Sequence, residues 1–181
     1  YCSELSEAAR HAGCVNTIVR RADGTLFGGN TDLFGFERML LSTGVDVRGR
    51  KALVFGSGGA SGTACEVLRQ YGAQVVRISR SGADNYTNLD RHADAQVLVN
   101  TTPLGMYPNN GVSPVRVSDF PACALVLDVV YNPARTALLL QAEALGIPHA
   151  NGLEMLVAQA VRSSERFTGS AIPDGTIARV T

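Results

Sequence analysis

A run of glycines follows an apolar segment in the first third of the chain, and such runs often hold phosphate groups. Residues 53–55 are followed by Gly56-Ser57-Gly58-Gly59-Ala60. Gly56 allows a tight turn off a strand, and Gly58 lets a phosphate approach the backbone without a side chain in the way. If a helix begins directly behind the turn, its free N–H groups and its dipole favour a pyrophosphate there.

The residues on both sides of the glycines predict the elements that would position them. Small or apolar residues recur at helical spacing behind the turn, at Ala60, Thr63, Ala64, Val67, Leu68 and Tyr71. Gly72 predicts the end of this helix, and residues 74–79 predict a second strand. A strand, a glycine turn, a helix and a strand form the first unit of a dinucleotide-binding fold. Ser61 stands at the third glycine position and is small enough for it; a glycine-rich turn in an ordinary α/β protein is the alternative.

The second predicted strand ends in an arginine, where proteins that bind NAD carry an acidic residue for the ribose 2′-hydroxyl. Residues 74–83 contain no Asp or Glu, and the strand leads into Ser79-Arg80-Ser81. A guanidinium suits a phosphate by its charge and by its forked donors. We therefore predict that the cofactor is NADP; a solvated loop arginine is the alternative.

Further strands and helices alternate along the rest of the chain. Residues 96–100 and 124–129 predict strands, and residues 134–145 predict a helix that Gly146 ends. This alternation predicts an α/β fold with a Rossmann-like, doubly wound parallel sheet. Thr102 follows the first of these strands, so we expect it in the wall of the cofactor crevice.

The N-terminal residues have a different pattern. Residues 4–11 resemble the end of a helix without a cap, and residues 15–20 and 25–29 predict a hairpin around Asp23-Gly24. We predict that residues 1–30 are a remnant of a second α/β domain. Residues 31–181 would then be the NADP-binding domain, with its C-terminal helix packing back toward that second domain.

Two polar clusters flank the expected cleft. Asn30-Thr31-Asp32 either caps a helix that continues from Leu33 or contributes a carboxylate to a site. Asn16 lies on the strand that pairs with this edge, which brings an amide near Asp32 and favours a site.

The last predicted helix starts at Asn151-Gly152, with an apolar stripe at Leu153, Leu156, Val157, Ala160 and Val161. Met155 and Gln159 share another face, and Gly152 lies on the same side. That set suits a nicotinamide and a hydroxylated substrate, whereas a solvent-facing Met and Gln are the alternative. Residues 169–181 show no period and are expected to be irregular.

Composition excludes several classes of function. The 16 basic and 16 acidic residues balance without a basic run, which argues against nucleic acid as a partner. No apolar stretch reaches about 18 residues, so no membrane span is predicted, and no signal peptide is evident. The cysteines are widely spaced, which predicts reduced thiols in a cytoplasmic protein and no metal site: Cys2, Cys14, Cys65 and Cys123. The three histidines, His11, His92 and His149, are expected on the surface or in loops.

Seven ordered segments between residues 5 and 167 resemble the shikimate dehydrogenase family. They are Cys14-Val15-Asn16-Thr17, Asn30-Thr31-Asp32, Gly56-Ser57-Gly58-Gly59-Ala60, Ser79-Arg80-Ser81, Asn100-Thr101-Thr102-Pro103-Leu104-Gly105-Met106, Asp128-Val129-Val130-Tyr131-Asn132-Pro133 and Gly152-Leu153-Glu154-Met155-Leu156-Val157-Ala158-Gln159-Ala160. The resemblance implies NADPH-dependent reduction of 3-dehydroshikimate to shikimate in aromatic amino-acid biosynthesis. Residues 1–30 would be a remnant of the family's N-terminal substrate-binding domain. The substrate would contact Asn16, Asp32, Tyr131 and Gln159, and Asp32 would also be catalytic. The glycine turn would bind the pyrophosphate, residues 79–81 the adenosine phosphate, and Val129, Gly152 and Met155 would border the nicotinamide.

The sequence departs from the family pattern in two ways. Ser79-Arg80-Ser81 replaces the family's Asn-Arg-Thr but keeps the arginine. The family's carboxylate-binding serine pair and catalytic lysine would precede Tyr1, and Lys51, the single lysine, stands at the start of a cofactor strand. We therefore expect the 181 residues alone to bind NADPH with negligible turnover. A quinate/shikimate dehydrogenase that uses NAD and an inactive NADP-binding module are the alternatives, and a homodimer is compatible with each.

Overall fold

The computed structural model describes residues 1–180, which form two separate β-sheets and six α-helices. The elements are β1 (Glu4–Leu5), α1 (Glu7–Ala12), β2 (Thr17–Arg20), β3 (Leu26–Gly29), α2 (Asp32–Ser42), β4 (Lys51–Phe55), α3 (Gly59–Gln70), β5 (Gln74–Ile78), β6 (Val97–Asn100), β7 (Leu125–Asp128), α4 (Ala137–Ala144), β8 (His149–Asn151), α5 (Leu153–Thr168) and α6 (Gly175–Val180). Two short 3-10 helices lie at Leu89–His92 and Val117–Asp119. None of the described helices is both long and apolar enough to cross a membrane.

The larger sheet has five parallel strands in the order β5-β4-β6-β7-β8. Its strands are apolar because both faces are covered. In β4, Ala52 and Val54 pack into one core with α2 and α3, whereas Leu53 and Phe55 pack into the other with α4. The strand order turns back between β4 and β6, and ligands of open α/β sheets bind at such a switch point. The predicted Rossmann-like, doubly wound α/β fold is confirmed.

The smaller sheet is formed near the N-terminus in the order β1-β3-β2. Strands β2 and β3 form the predicted antiparallel hairpin, and β1 pairs with β3 in parallel. Helix α1 is a separate short helix, not the uncapped end of one, because Ser6 caps it: its hydroxyl accepts from the Ala9 N–H at 3.0 Å. That part of the N-terminal prediction was wrong.

Helices α2 and α5 pack closely against each other at a glycine. A Cβ atom on Gly35 would lie 2.5 Å from the Met155 carbonyl oxygen and 3.3 Å from the Gln159 Cβ. The face of α5 that turns inward therefore carries Met155 and Ala158, whereas Leu156 is exposed. The predicted apolar stripe through Leu156 and Ala160 was wrong, because the approach to α2 selects the other face.

Two further expectations need correction, and one strand was not predicted. The tail is not irregular throughout, since residues 175–180 form α6 and bury Ile177 against the rest of the fold. Residues 149–151, where no strand was predicted, form β8 at the edge of the large sheet. His92 is buried, and its Nε2 lies 2.9 Å from the Asp84 carboxylate, so it is not a surface histidine.

Candidate functional site

A cleft of about 590 Å³ opens at the switch point of the large sheet, where β4 and β6 end. The glycine turn forms one wall, and the segment after β6 forms the other. The lining residues include Gly56, Ser57, Gly58, Ser79, Arg80, Tyr86, Thr101 and Thr102. Three segments that the sequence singled out separately therefore face one space.

The glycines of the turn stand at their positions for different structural reasons. Gly56 has φ 131°, and a Cβ there would lie 2.4 Å from the Thr101 hydroxyl, so the protein itself requires glycine. A Cβ on Gly58 would meet no protein atom within 4 Å, which leaves its surface open to a ligand. Gly59 begins α3, and Ser61 is buried with its hydroxyl donating to the Gly56 carbonyl at 3.0 Å. The Ser61 hydroxyl thus stabilises the turn through a hydrogen bond that a glycine at this position could not form.

Arg80 lies in a closed loop beside this cleft. The Ser79 N–H donates to the Asp84 carbonyl at 3.2 Å, which closes the loop at its base. Asp84 is in turn bound to His92, and Asn85 donates to the Gly82 carbonyl at 3.1 Å. The exposed Arg80 guanidinium forms no hydrogen bond or ion pair with residues 1–180, so its donors are available to an anion. Ser81 is exposed next to it.

A second polar cluster lies where α2 begins. Asn30 caps α2, because its side-chain oxygen accepts from the N–H groups of Asp32 at 2.9 Å and Leu33 at 3.3 Å. The Asp32 carboxylate is therefore not needed as a cap. Burial raises the pKa of the Asp32 carboxyl, and a hydrogen bond with Asn16 partly offsets that rise. Asn16 also accepts from the Thr31 N–H at 2.9 Å, so amide and carboxylate meet as expected.

Helix α5 delivers Gln159 to the same cluster. The Thr31 hydroxyl lies 3.4 Å from the Gln159 side-chain oxygen, so Gln159 faces the start of α2 and is not a solvent-facing residue. Met155, one turn earlier, is buried in the core next to Val129. Packing also requires a glycine at position 152, since a Cβ there would lie 2.0 Å from the Val129 carbonyl oxygen.

Tyr131 and Lys51 differ sharply in position. Tyr131 follows β7 at the carboxyl end of the sheet and is 46% exposed, with its hydroxyl unbonded to the rest of residues 1–180. Lys51 begins β4 at the opposite end, where its Nζ donates to the Asp94 carboxylate at 2.6 Å. That ion pair gives Lys51 a structural partner remote from the cleft. Residues 1–180 contain no group of three or more His, Cys, Asp or Glu side chains suited to a metal ion.

Asp128, the polar residue at the end of the apolar strand β7, is fully buried. Its carboxylate accepts from Asn100 Nδ2 at 2.9 Å, from the Thr136 hydroxyl at 2.7 Å and from the Val130 N–H at 3.1 Å. The Asn100 side-chain oxygen in turn accepts from the Thr102 N–H at 3.0 Å and from its hydroxyl at 2.7 Å. The network ties the ends of β6 and β7 together and fixes the wall that Thr102 forms.

Burial raises the pKa of Asp128 to about 6, although its three donors favour the carboxylate. A raised pKa in the folded state favours folding at low pH, and this contribution is lost as the pH rises through the folded value. The unfolding free energy of the protein minus that of Asp128→Asn should therefore increase by about 2 kcal/mol from pH 7 to pH 4.5. Urea unfolding of both proteins at the two pH values measures this difference; an unchanged or smaller difference at pH 4.5 contradicts the assignment.

Comparison with known proteins identifies the family. A scan against family models finds no match. Two relatives named shikimate dehydrogenase (NADP⁺) align over most of the chain. The protein of Caldicellulosiruptor bescii is 36% identical over 90% of the chain, and that of Caldanaerobacter subterraneus is 34% identical over 93%.

The chain belongs to the shikimate dehydrogenase family. It spans 63% of the length of the first relative and 67% of the second. The structure of shikimate dehydrogenase 1 from Peptoclostridium difficile matches 99% of the chain and 70% of its own length, with a TM-score of 0.89 at 34% identity. The Thermus thermophilus shikimate 5-dehydrogenase, solved with NADP(H) and shikimate, matches 99% of the chain with a TM-score of 0.84 at 30% identity. The family assignment made from the seven segments is thus confirmed.

Proposed function

We propose that the protein reduces 3-dehydroshikimate to shikimate with NADPH. The cleft combines an open glycine turn with Arg80, which has no hydrogen-bond partner, and a separate carboxylate–amide cluster lies at the start of α2. This combination is the observation that carries the proposal. The relatives named above act on shikimate with NADP⁺, which supports the same assignment. Residues 1–30 would belong to a substrate domain and residues 31–181 to the NADP domain.

The residues of the cleft fit this cofactor. Gly58 leaves the start of α3 uncovered, so the N–H groups of its first turn can donate to a pyrophosphate. Arg80, with Ser79 and Ser81 beside it, has free donors for a 2′-phosphate. The bound cofactor supplies a hydride to a ketone carbon. Val129, Gly152 and Met155 follow the ends of β7 and β8, where the nicotinamide end would lie.

The polar cluster suits the hydroxyl groups of the substrate. Asp32 provides acceptors, because Asn30 and not Asp32 caps the helix. Asn16, which precedes β2, and Gln159 of α5 place their side-chain amides in this cluster, where their oxygens accept from Thr31, and the Tyr131 hydroxyl is free to bond. Asp32 would accept from a substrate hydroxyl next to the forming alkoxide and would hold the proton donor in place. A carboxylate in this position lowers the cost of burying a cationic donor beside the substrate.

Two assays test the proposal. The NADPH and NADH affinities of the chain are measured by fluorescence titration, and we expect NADPH to bind at least about tenfold more tightly because of the phosphate contact. Oxidation of shikimate and of quinate with NADP⁺ and with NAD⁺ is then measured on the protein at its full natural length. Preferential turnover of quinate with NAD would contradict the proposal in favour of a quinate dehydrogenase. NADPH binding without any turnover would identify an NADP-binding module.

A further inference from the structure

Four side chains from three elements form a closed ring of hydrogen bonds beside Asp32. Asn16 Nδ2 donates to the Thr31 hydroxyl at 3.0 Å, and the Thr31 and Ser163 hydroxyl oxygens are 3.0 Å apart. The Ser163 and Thr17 hydroxyl oxygens are 2.8 Å apart, and Thr17 donates to Asn16 Oδ1 at 3.0 Å. Ser163 is the member that helix α5 contributes.

The number of hydroxyl protons determines which group donates and which accepts in each hydrogen bond of the ring. Each hydroxyl has one proton to donate, and Thr17 gives its proton to Asn16 Oδ1. The Ser163 proton then satisfies Thr17, and the Thr31 proton satisfies Ser163, while Asn16 donates to Thr31. Every hydroxyl donates once and accepts once in this arrangement, which polarises successive bonds in the same sense.

The ring holds the Asn16 carboxamide in one orientation. Asn16 Oδ1 points inward, where it also accepts from the Thr31 N–H at 2.9 Å. One Nδ2 proton is used by Thr31, and the second is the one that reaches the Asp32 carboxylate. Thr17 and Thr31 are 2% and 1% exposed, so this part of the ring is fixed in the protein interior. Asn16 is exposed and is the member of the ring that faces the site.

Without the Ser163 hydroxyl, the structure offers Thr31 two other acceptors, Asn16 Oδ1 at 3.3 Å and Gln159 Oε1 at 3.4 Å. A Thr31 proton directed to Asn16 Oδ1 competes with the Thr17 bond and releases the bond from Asn16 Nδ2. The carboxamide would then lose its single orientation. We propose that Ser163 is a positioning residue that orients Asn16 toward the substrate from helix α5. This inference rests on the proposed function, in which Asn16 contacts the substrate.

Steady-state kinetics of Ser163→Ala test the inference in the protein at its full natural length. We expect the KM for shikimate to rise about five- to tenfold, which corresponds to one lost hydrogen bond, with kcat reduced less than twofold. The NADPH dissociation constant should not change, because the ring lies outside the cofactor cleft. Ser164→Ala is the matched control, since the Ser164 side chain forms no hydrogen bond with residues 1–180. Ser163→Cys fills the same space with a weak donor and replaces the alanine variant if that variant does not fold.

The same substitution in an Asn16→Ala background separates positioning from packing. A residue that acts through Asn16 should have no further effect on KM once Asn16 is absent. An equal KM increase in both backgrounds overturns the inference, as does a KM equal to that of Ser164→Ala. A loss of NADPH affinity together with the KM change also overturns it. Failure of the unmodified protein to act on shikimate would instead contradict the proposed function.

Discussion

Replacing Arg80 by alanine is expected to weaken NADPH binding by tens-fold while NADH binding changes less than twofold. The guanidinium has no partner among residues 1–180, so its removal leaves no protein group unpaired. In the proposed function the substitution removes a charge-assisted contact with the 2′-phosphate, and such a contact contributes about 1.5–3 kcal/mol. Fluorescence titration of both cofactors against the same protein preparation gives the two ratios.

Arg77→Ala is the matched control for this measurement. Arg77 is also exposed and unpaired within the described part of the chain, but it lines a different cavity on the far side of the loop. Its removal changes the net charge by the same amount as the Arg80 substitution. Equal effects of the two substitutions on NADPH would reduce the role of Arg80 to general charge attraction. An equal loss of NADH and NADPH affinity in Arg80→Ala would show that Arg80 does not contact the 2′-phosphate.

Replacing Asp32 by asparagine is expected to reduce kcat for shikimate by about 10²–10⁴-fold, the usual range for a lost acid–base function. The substitution keeps the shape of the side chain and removes its charge. Folding should persist because Asn30 supplies the cap of α2. The NADPH dissociation constant should remain within twofold, since Asp32 does not line the cofactor cleft.

The kinetic measurement is made on the protein at its full natural length, with Asp46→Asn as the control. Asp46 is exposed, and its carboxylate accepts from the Arg48 N–H at 2.9 Å in a surface turn. A kcat for Asp32→Asn equal to that of the control would contradict a catalytic role and indicate that Asp32 is only a structural residue at the start of α2. A large loss of NADPH affinity would instead place Asp32 closer to the cofactor than the proposal does.

The glycine turn and its neighbours were predictable because local chemistry determines them. A strand that ends in Gly56 and leads into a helix has few other structures available, and the structure forms those elements there. Asn16 and Asp32 were brought together correctly, because a hairpin turn at Asp23-Gly24 fixes which strand residues pair. These inferences needed only nearby residues and the periods of strand and helix.

The inferences that failed depend on contacts between distant segments. The buried face of α5 is chosen by Gly35, which lies about 120 residues earlier and lets Met155 approach α2. The ring through Ser163 joins positions 146 residues apart, so no local signal indicates it. Asp128 is the one polar residue of its predicted strand, and only the fold reveals that Asn100 and Thr136 bond to it. Strand β8 is three residues long and pairs with β7, which no pattern within His149–Asn151 predicts.

Helix α5 sets the distance between the two halves of the proposed site. Met155, Gln159 and Ser163 follow one another at four-residue intervals, which places them about 6 Å apart along the axis. In the proposed function, the nicotinamide side at Met155 and the hydroxyl-binding side at Gln159 would therefore be spaced by helix geometry and not by a flexible connection. A single inserted residue between Met155 and Gln159 would turn the later side chains by about 100° and move them out of the cluster. The length of this segment is thus more restricted than the identity of its outward-facing residues.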